Sequence, residues 1–153
     1  MATLYQQLKK SEKISPNNLN DELFKLVKSL ERDIKKTNLN EQLFNEGVDA
    51  HGKPLFSKTT KRGTYSIMTE QLSGGKKRAG DPYTLRDTGE FYKGFFLKIE
   101  NDKALFGSTD EKTPMLIADF GEIFGLTDEN LKALIDKKLK PLFIREIRRK
   151  IDL

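Results

Sequence analysis

The sequence predicts an α+β fold: a small antiparallel sheet flanked by an N-terminal amphipathic helix and a C-terminal helix, with a long basic loop between them. Three observations carry this expectation. Leu23, Leu26, Val27, Leu30 and Ile34 recur at helical spacing among charged residues, and Leu131, Leu134, Ile135 and Leu139 do the same near the other end. Between these stripes, Phe95, Leu97 and Ile99 alternate with Phe96, Lys98 and Glu100, the period of a half-buried strand.

Each element follows from local chemistry. Ser15-Pro16 offers an N-cap with Pro at the first helical position, so the first helix runs from about Pro16–Asp21 to Lys36. Asn38 with Glu41 three residues on reads as a capping box opening a shorter helix, which Gly47 ends. Residues 47–84 lack any apolar period and are rich in Gly and hydroxyl residues, so they read as an extended basic loop or arm. Within it Thr64–Met68 is a candidate short edge strand. Arg86–Tyr92 reads as a capped turn leading to a hairpin at about 94–107, with Asn101-Asp102 at its tip. Thr113-Pro114 opens a short helix through Met115, Leu116, Ile117 and Phe120, stopped by Gly121. Thr127 then caps a helix with Asp128 and Glu129 in its first turn, and Pro141 must kink or restart it. Beyond Pro141, Ile144, Ile147 and Ile151 continue a stripe opposite Arg145, Arg148 and Arg149.

The chain has 153 residues, 28 Lys+Arg against 23 Asp+Glu, one His and no Cys. That length suits a single domain, 1–153, with 47–84 as an arm within it. Without Cys there is neither a disulfide framework nor a thiolate metal site, and a reducing cytoplasm suits the composition. No run approaches the ~18 apolar residues that cross a bilayer, so no membrane partner is expected. Met1–Gln7 shows no basic or apolar region of a secretory signal. The formal charge of +5 is not spread evenly. Residues 1–51 are neutral, 52–80 carry +6, 81–136 carry −6 and 137–150 carry +6. Two basic blocks thus flank an acidic middle, which bears on partners more than on fold.

Few residues suggest catalysis. His51 has only Asp49 as a nearby carboxylate, which reads as a turn between Gly47 and Gly52 and not as a metal site. No Gly-x-Ser-x-Gly presents a nucleophile to His51, and Gly74-Gly75-Lys76-Lys77 lacks the full phosphate-loop pattern. Asp102 with Asp110 and Lys112 loosely imitates the carboxylate spacing of Mg²⁺-dependent nucleases, a minor alternative. The basic residues Lys53, Lys58, Lys61, Arg62, Lys76, Lys77 and Arg78 suit contact with a partner or with DNA phosphates. Arg145, Arg148 and Arg149 form a second basic face. None of these readings calls for a cofactor.

The run Thr84-Leu85-Arg86-Asp87-Thr88-Gly89-Glu90-Phe91-Tyr92 resembles tailed-bacteriophage tail-completion and neck proteins, the head–tail connector subunits also called virion morphogenesis or minor tail proteins. Their pattern is a Leu-x-Asp-Thr-Gly-x-Leu/Phe turn, a hairpin, a short helix ending in an aromatic–Gly pair, and a C-terminal helix. Here these match Leu85, Asp87, Thr88, Gly89 and Phe91, then Phe95–Phe106, Phe120-Gly121, and Leu126 to Ile151. The likeness spans roughly residues 55–150 and is similar to the version carried by phages of Bacteroidota. Ala118-Asp119 departs from the pattern, since many relatives have His or Gln before the aromatic–Gly pair. The resemblance implies a non-enzymatic virion protein, assembled in the host cytoplasm, that forms a ring of a multiple of six copies, twelve favoured. It would join portal or adaptor protein to other neck and tail proteins around the DNA channel. In that setting Asp87 and Thr88 would satisfy backbone N–H groups of the next turn, and Gly89 would adopt a positive φ. The alternative is a small nucleic-acid-binding accessory protein.

Overall fold

A computed structural model describes Gln6 and residues 15–151. The rest of the N-terminal run inspected for a secretory signal lies outside the described residues, as does Asp152. The protein is α+β, mostly helical, with one two-stranded antiparallel sheet among the described residues.

Helix α1 (Pro16–Ser29) begins as its sequence dictates, with the Ser15 hydroxyl accepting from the Asn18 N–H at 3.2 Å and Pro16 in the first turn. After Leu30 the chain continues as α2 (Glu31–Lys35) and then, without a break, as a wide π-type helix over Lys36–Glu46. Gly47 ends it at φ 65°. The expected capping box at Asn38 therefore does not form. A helix that does not stop at Lys36 leaves no free N–H groups there to cap, and the Asn38 amide is buried and bonded elsewhere.

Residues 47–84 are sparse in regular structure but lie against the core instead of reaching away from it. Single bridges pair Val48 with Pro54, Ser57 with Arg62 and Thr64 with Pro82, and Leu55, Ser57 and Tyr65 are buried. The expected edge strand at Thr64–Met68 is absent. Its one bridge meets Pro82, which has no N–H to extend a ladder. Two residues later Ser66 caps α3 (Ile67–Leu72), its hydroxyl accepting from the Thr69 N–H at 3.2 Å.

Gly89, at φ 89°, leads into α4 (Glu90–Lys93), and then β1 (Phe95–Glu100) and β2 (Lys103–Ser108) pair from Phe95↔Ser108 to Glu100↔Lys103. Asn101 and Asp102 both take positive φ, the turn geometry that matches strand twist. Phe95 and Leu97 are buried while Phe96 and Lys98 are exposed, as the alternation requires. The open edge of β1 is covered by side chains. Glu31 accepts from the Leu97 N–H at 2.9 Å, and Lys28 donates to the Leu97 carbonyl while pairing with Glu31 at 2.9 Å. A charged edge of this kind resists a third strand. The Lys28 ammonium holds the Glu31 carboxyl below its usual range.

Helix α5 (Thr113–Phe120) ends at Gly121, and Thr127 caps α6 (Asp128–Leu134), accepting from the Asn130 N–H at 3.2 Å. A π-type turn, Ile135–Leu139, precedes α7 (Lys140–Ile151). The chain accommodates Pro141 by widening just before it, where a regular turn would press the ring against the carbonyl four residues back. Helix α7 reaches α1, with Lys150 on Glu22 at 3.0 Å, and Lys138 meets Asp33 at 2.8 Å. The buried core joins Leu30, Ile34, Leu39, Leu43, Leu55, Phe91, Tyr92, Phe95, Leu97 and Ile123. Among the described residues no helix is long and apolar enough to cross a membrane.

Candidate functional site

The Leu85–Phe91 turn is anchored on both flanks by tyrosine hydroxyls. Tyr92 donates to the Thr84 carbonyl at 2.5 Å, and the Tyr65 hydroxyl accepts from the Thr84 N–H at 3.1 Å. Burial pushes the Tyr92 phenol well above its ordinary pKa, so it remains a donor. Leu85 sits at φ 55°, a conformation that costs a branched residue about 1–2 kcal/mol and persists because its surroundings over-determine it.

This turn opens onto a cleft of about 230 Å³ whose walls are Tyr65, Tyr83, Leu85, Phe91 and Phe120. Tyr83 packs edge-on against both Tyr65 (4.9 Å between centroids) and Phe120 (5.1 Å). At the mouth Asp87 meets Lys77 at 3.3 Å and Lys112 at 3.7 Å. Lys77 also lies 5.6 Å from the Tyr65 ring centroid. The Lys77 ammonium, followed by Lys112, holds the Asp87 carboxyl below its ordinary range. Asp87 is largely exposed, so these pairs orient the turn more than they stabilise it.

Six of the seven motif residues, Leu85, Asp87, Thr88, Gly89, Phe91 and Phe120, thus line one cleft, while Gly121 ends α5 just beyond it at φ 81°. Thr88 accepts from the Glu90 N–H at 3.4 Å, as expected. Asp87 corrects its expected role. The carboxylate faces two ammonium groups instead of backbone N–H groups, because Gly89 turns the chain before the helix N–H groups come within its reach.

The basic arm divides. Lys77 is half-buried and committed to Asp87, whereas Lys53, Lys58, Lys61, Arg62, Lys76 and Arg78 are exposed and carry no ion pair among the described residues. On α7, Arg149 pairs with Glu146 at 2.9 Å while Arg145 and Arg148 face water. His51 behaves as a turn residue: Asp49 accepts from the His51 and Lys53 N–H groups at 2.9 Å each, and the His51 ring meets Glu122. Asp102 and Asp110 lie at opposite ends of β2, on the order of 20 Å of extended chain apart, so they do not share a cation. Among the described residues no three His, Asp or Glu side chains are grouped to hold a metal.

Two contacts escaped sequence reasoning. Asp119 accepts from the Ser57 hydroxyl at 2.8 Å and from the Thr59 N–H at 2.8 Å, tying the arm to α5. Burial alone would raise its carboxyl, but these hydrogen bonds outweigh it and hold it low. Lys112 completes the Asp87 cluster. Neither has a local signature, since the partners of Asp119 lie about 60 residues away. No family model matches this chain, and no curated protein or solved structure does.

Proposed function

We propose that this chain is a structural, non-enzymatic subunit of the head–tail connector of a tailed bacteriophage. It assembles as a ring, of a multiple of six copies, that joins portal or adaptor protein to neck and tail proteins. The Leu85–Phe91 motif and the elements that follow it support this reading. The observation that carries it is the surface of α3. Ile67, Met68 and Leu72 are 69%, 70% and 83% exposed, and Met68 and Leu72 stand one turn apart on the same face. A six-residue helix is not stable by itself. Presenting three apolar side chains to water in a chain one-third charged suits a surface that another chain covers. The unlike charges of 52–80 and 81–136 supply the two different patches that head-to-tail ring closure needs.

The test is stoichiometry and position in purified virions, by quantitative mass spectrometry and imaging of the portal vertex. The expected result is a ring at the neck with a copy number divisible by six. A single copy per particle, or absence from virions, refutes the proposal.

A further inference from the structure

Away from the arm, and adjoining the aromatic cleft with which it shares Thr88 and Gly89, an open groove of about 1000 Å³ runs between residues 32–44 and the 86–93 turn. Arg32, Lys35 and Lys36 line one side, and Arg86 and Lys93 the other, with no carboxylate among the lining residues. Two nearby acids are engaged elsewhere, Glu31 with Lys28 and Asp33 with Lys138, while Glu90 neutralises the groove's own Lys93 at 3.4 Å. Arg32, Lys35, Lys36 and Arg86 therefore carry no ion pair among the described residues. A polypeptide that keeps four unpaired cations around one concave surface accepts their mutual repulsion, and an anionic ligand relieves it.

The aromatic residues narrow the ligand class. The Arg86 guanidinium lies 5.3 Å from the Phe44 ring centroid and 5.9 Å from that of Tyr92. Placed beside two rings, it carries N–H edges suited to bidentate contact with phosphate. Phe44 is 42% exposed in the same groove, beyond what packing requires. Cations tracking a backbone beside an accessible aromatic face are the elements with which proteins hold single-stranded nucleic acid. An acidic peptide needs the charges but not the ring, and a duplex offers no free base face to stack.

We propose that the groove formed by Arg32, Lys35, Lys36, Phe44 and Arg86 binds a single nucleic-acid strand, with phosphates on the cations and a base stacked on Phe44. It is a separate surface from the 52–80 arm, and it does not depend on ring assembly.

The test is fluorescence anisotropy of the purified full chain with a labelled oligothymidylate of twelve residues. Four phosphate contacts give a slope of log K against log salt of about −2.8, so affinity falls roughly 50-fold between about 50 and 200 mM salt. Phe44→Ala is expected to weaken binding about ten- to a hundredfold, with Phe44→Trp restoring it. Arg32→Gln with Lys36→Gln flattens the slope by about 1.4, and Lys76→Gln with Arg78→Gln leaves it unchanged. These four charge changes are on exposed side chains, so folding is retained and is checked by thermal melting. Any of three outcomes overturns the proposal: no binding at low salt; binding indifferent to Phe44, with polyglutamate displacing the strand equally well; or a slope that follows Lys76 and Arg78 instead of Arg32 and Lys36.

Discussion

Gln42 is completely buried and clamps the loop that leads into α6. Its amide nitrogen donates to the Gly125 carbonyl at 3.0 Å, while its oxygen accepts from the Thr127 N–H at 3.1 Å and the Asn130 side chain at 2.8 Å. Gln42→Leu keeps much of the volume and removes all three bonds. Two half-buried backbone groups left unpaired cost about 2 kcal/mol each, and the lost Asn130 contact about 1 kcal/mol more. The added apolar burial offsets about 2 kcal/mol. The net expectation is a loss of about 3 kcal/mol, or a Tm lower by about 6–12 °C for a chain of this size. Calorimetry and urea titration measure it, with an unchanged urea slope establishing that stability and not compactness has altered. The control is Asn40→Leu, exposed on the same helix and expected within about 0.5 kcal/mol of the parent. A Gln42→Leu shift under about 2 °C would refute the assignment of the loop's order to this side chain.

Other consequences are as direct. Gly47→Ala strains a residue at φ 65° and puts a methyl group 2.9 Å from the Pro82 Cβ, so a loss of about 1–3 kcal/mol is expected in urea unfolding. Asp119 has a lowered folded pKa, so its stabilisation is present above the ordinary carboxylate value and is lost as pH falls through the lowered one. Asp119→Asn should therefore flatten the stability profile as pH falls below about 5, and an acid limb identical to the parent's would count against the Ser57–Thr59 clamp. Met68→Asp with Leu72→Asp should leave the thermal melt of the isolated chain within about 0.5 kcal/mol of the parent while abolishing incorporation into particles. Normal incorporation would mean that α3 is not an assembly face.

What was legible in the sequence was local. Ser15-Pro16, Thr127 and Gly121 mark helix ends because capping is a contact between near neighbours, and the 95–100 alternation reads directly as a strand face. Asn38 misled for the same reason. Its spacing to Glu41 satisfies a local rule, but the side chain serves Ile123 and Gly125, more than 80 residues away. Thr64–Met68 has the hydroxyl and β-branched residues of a strand, yet Pro82 and the Ser66 cap decide otherwise.

The motif at 85–91 was visible as a string, while the cleft it lines was not, since Lys77, Lys112 and Phe120 arrive from other elements. Charge followed the same division. Read along the chain, residues 1–51 are neutral and 81–136 acidic, and neither block suggests a basic surface. Folding separates the signs within each block. Glu31 and Asp33 find partners, while Arg32, Lys35 and Lys36 turn toward Arg86 and Lys93. Sequence by itself determined the fold class, the helix ends at Ser15, Gly121 and Thr127, and the strand faces, because backbone and capping interactions act over a few residues. Only the tertiary structure decided which charges remain unpaired and which surfaces they line, because electrostatic potential depends on distance in space and not on separation along the chain.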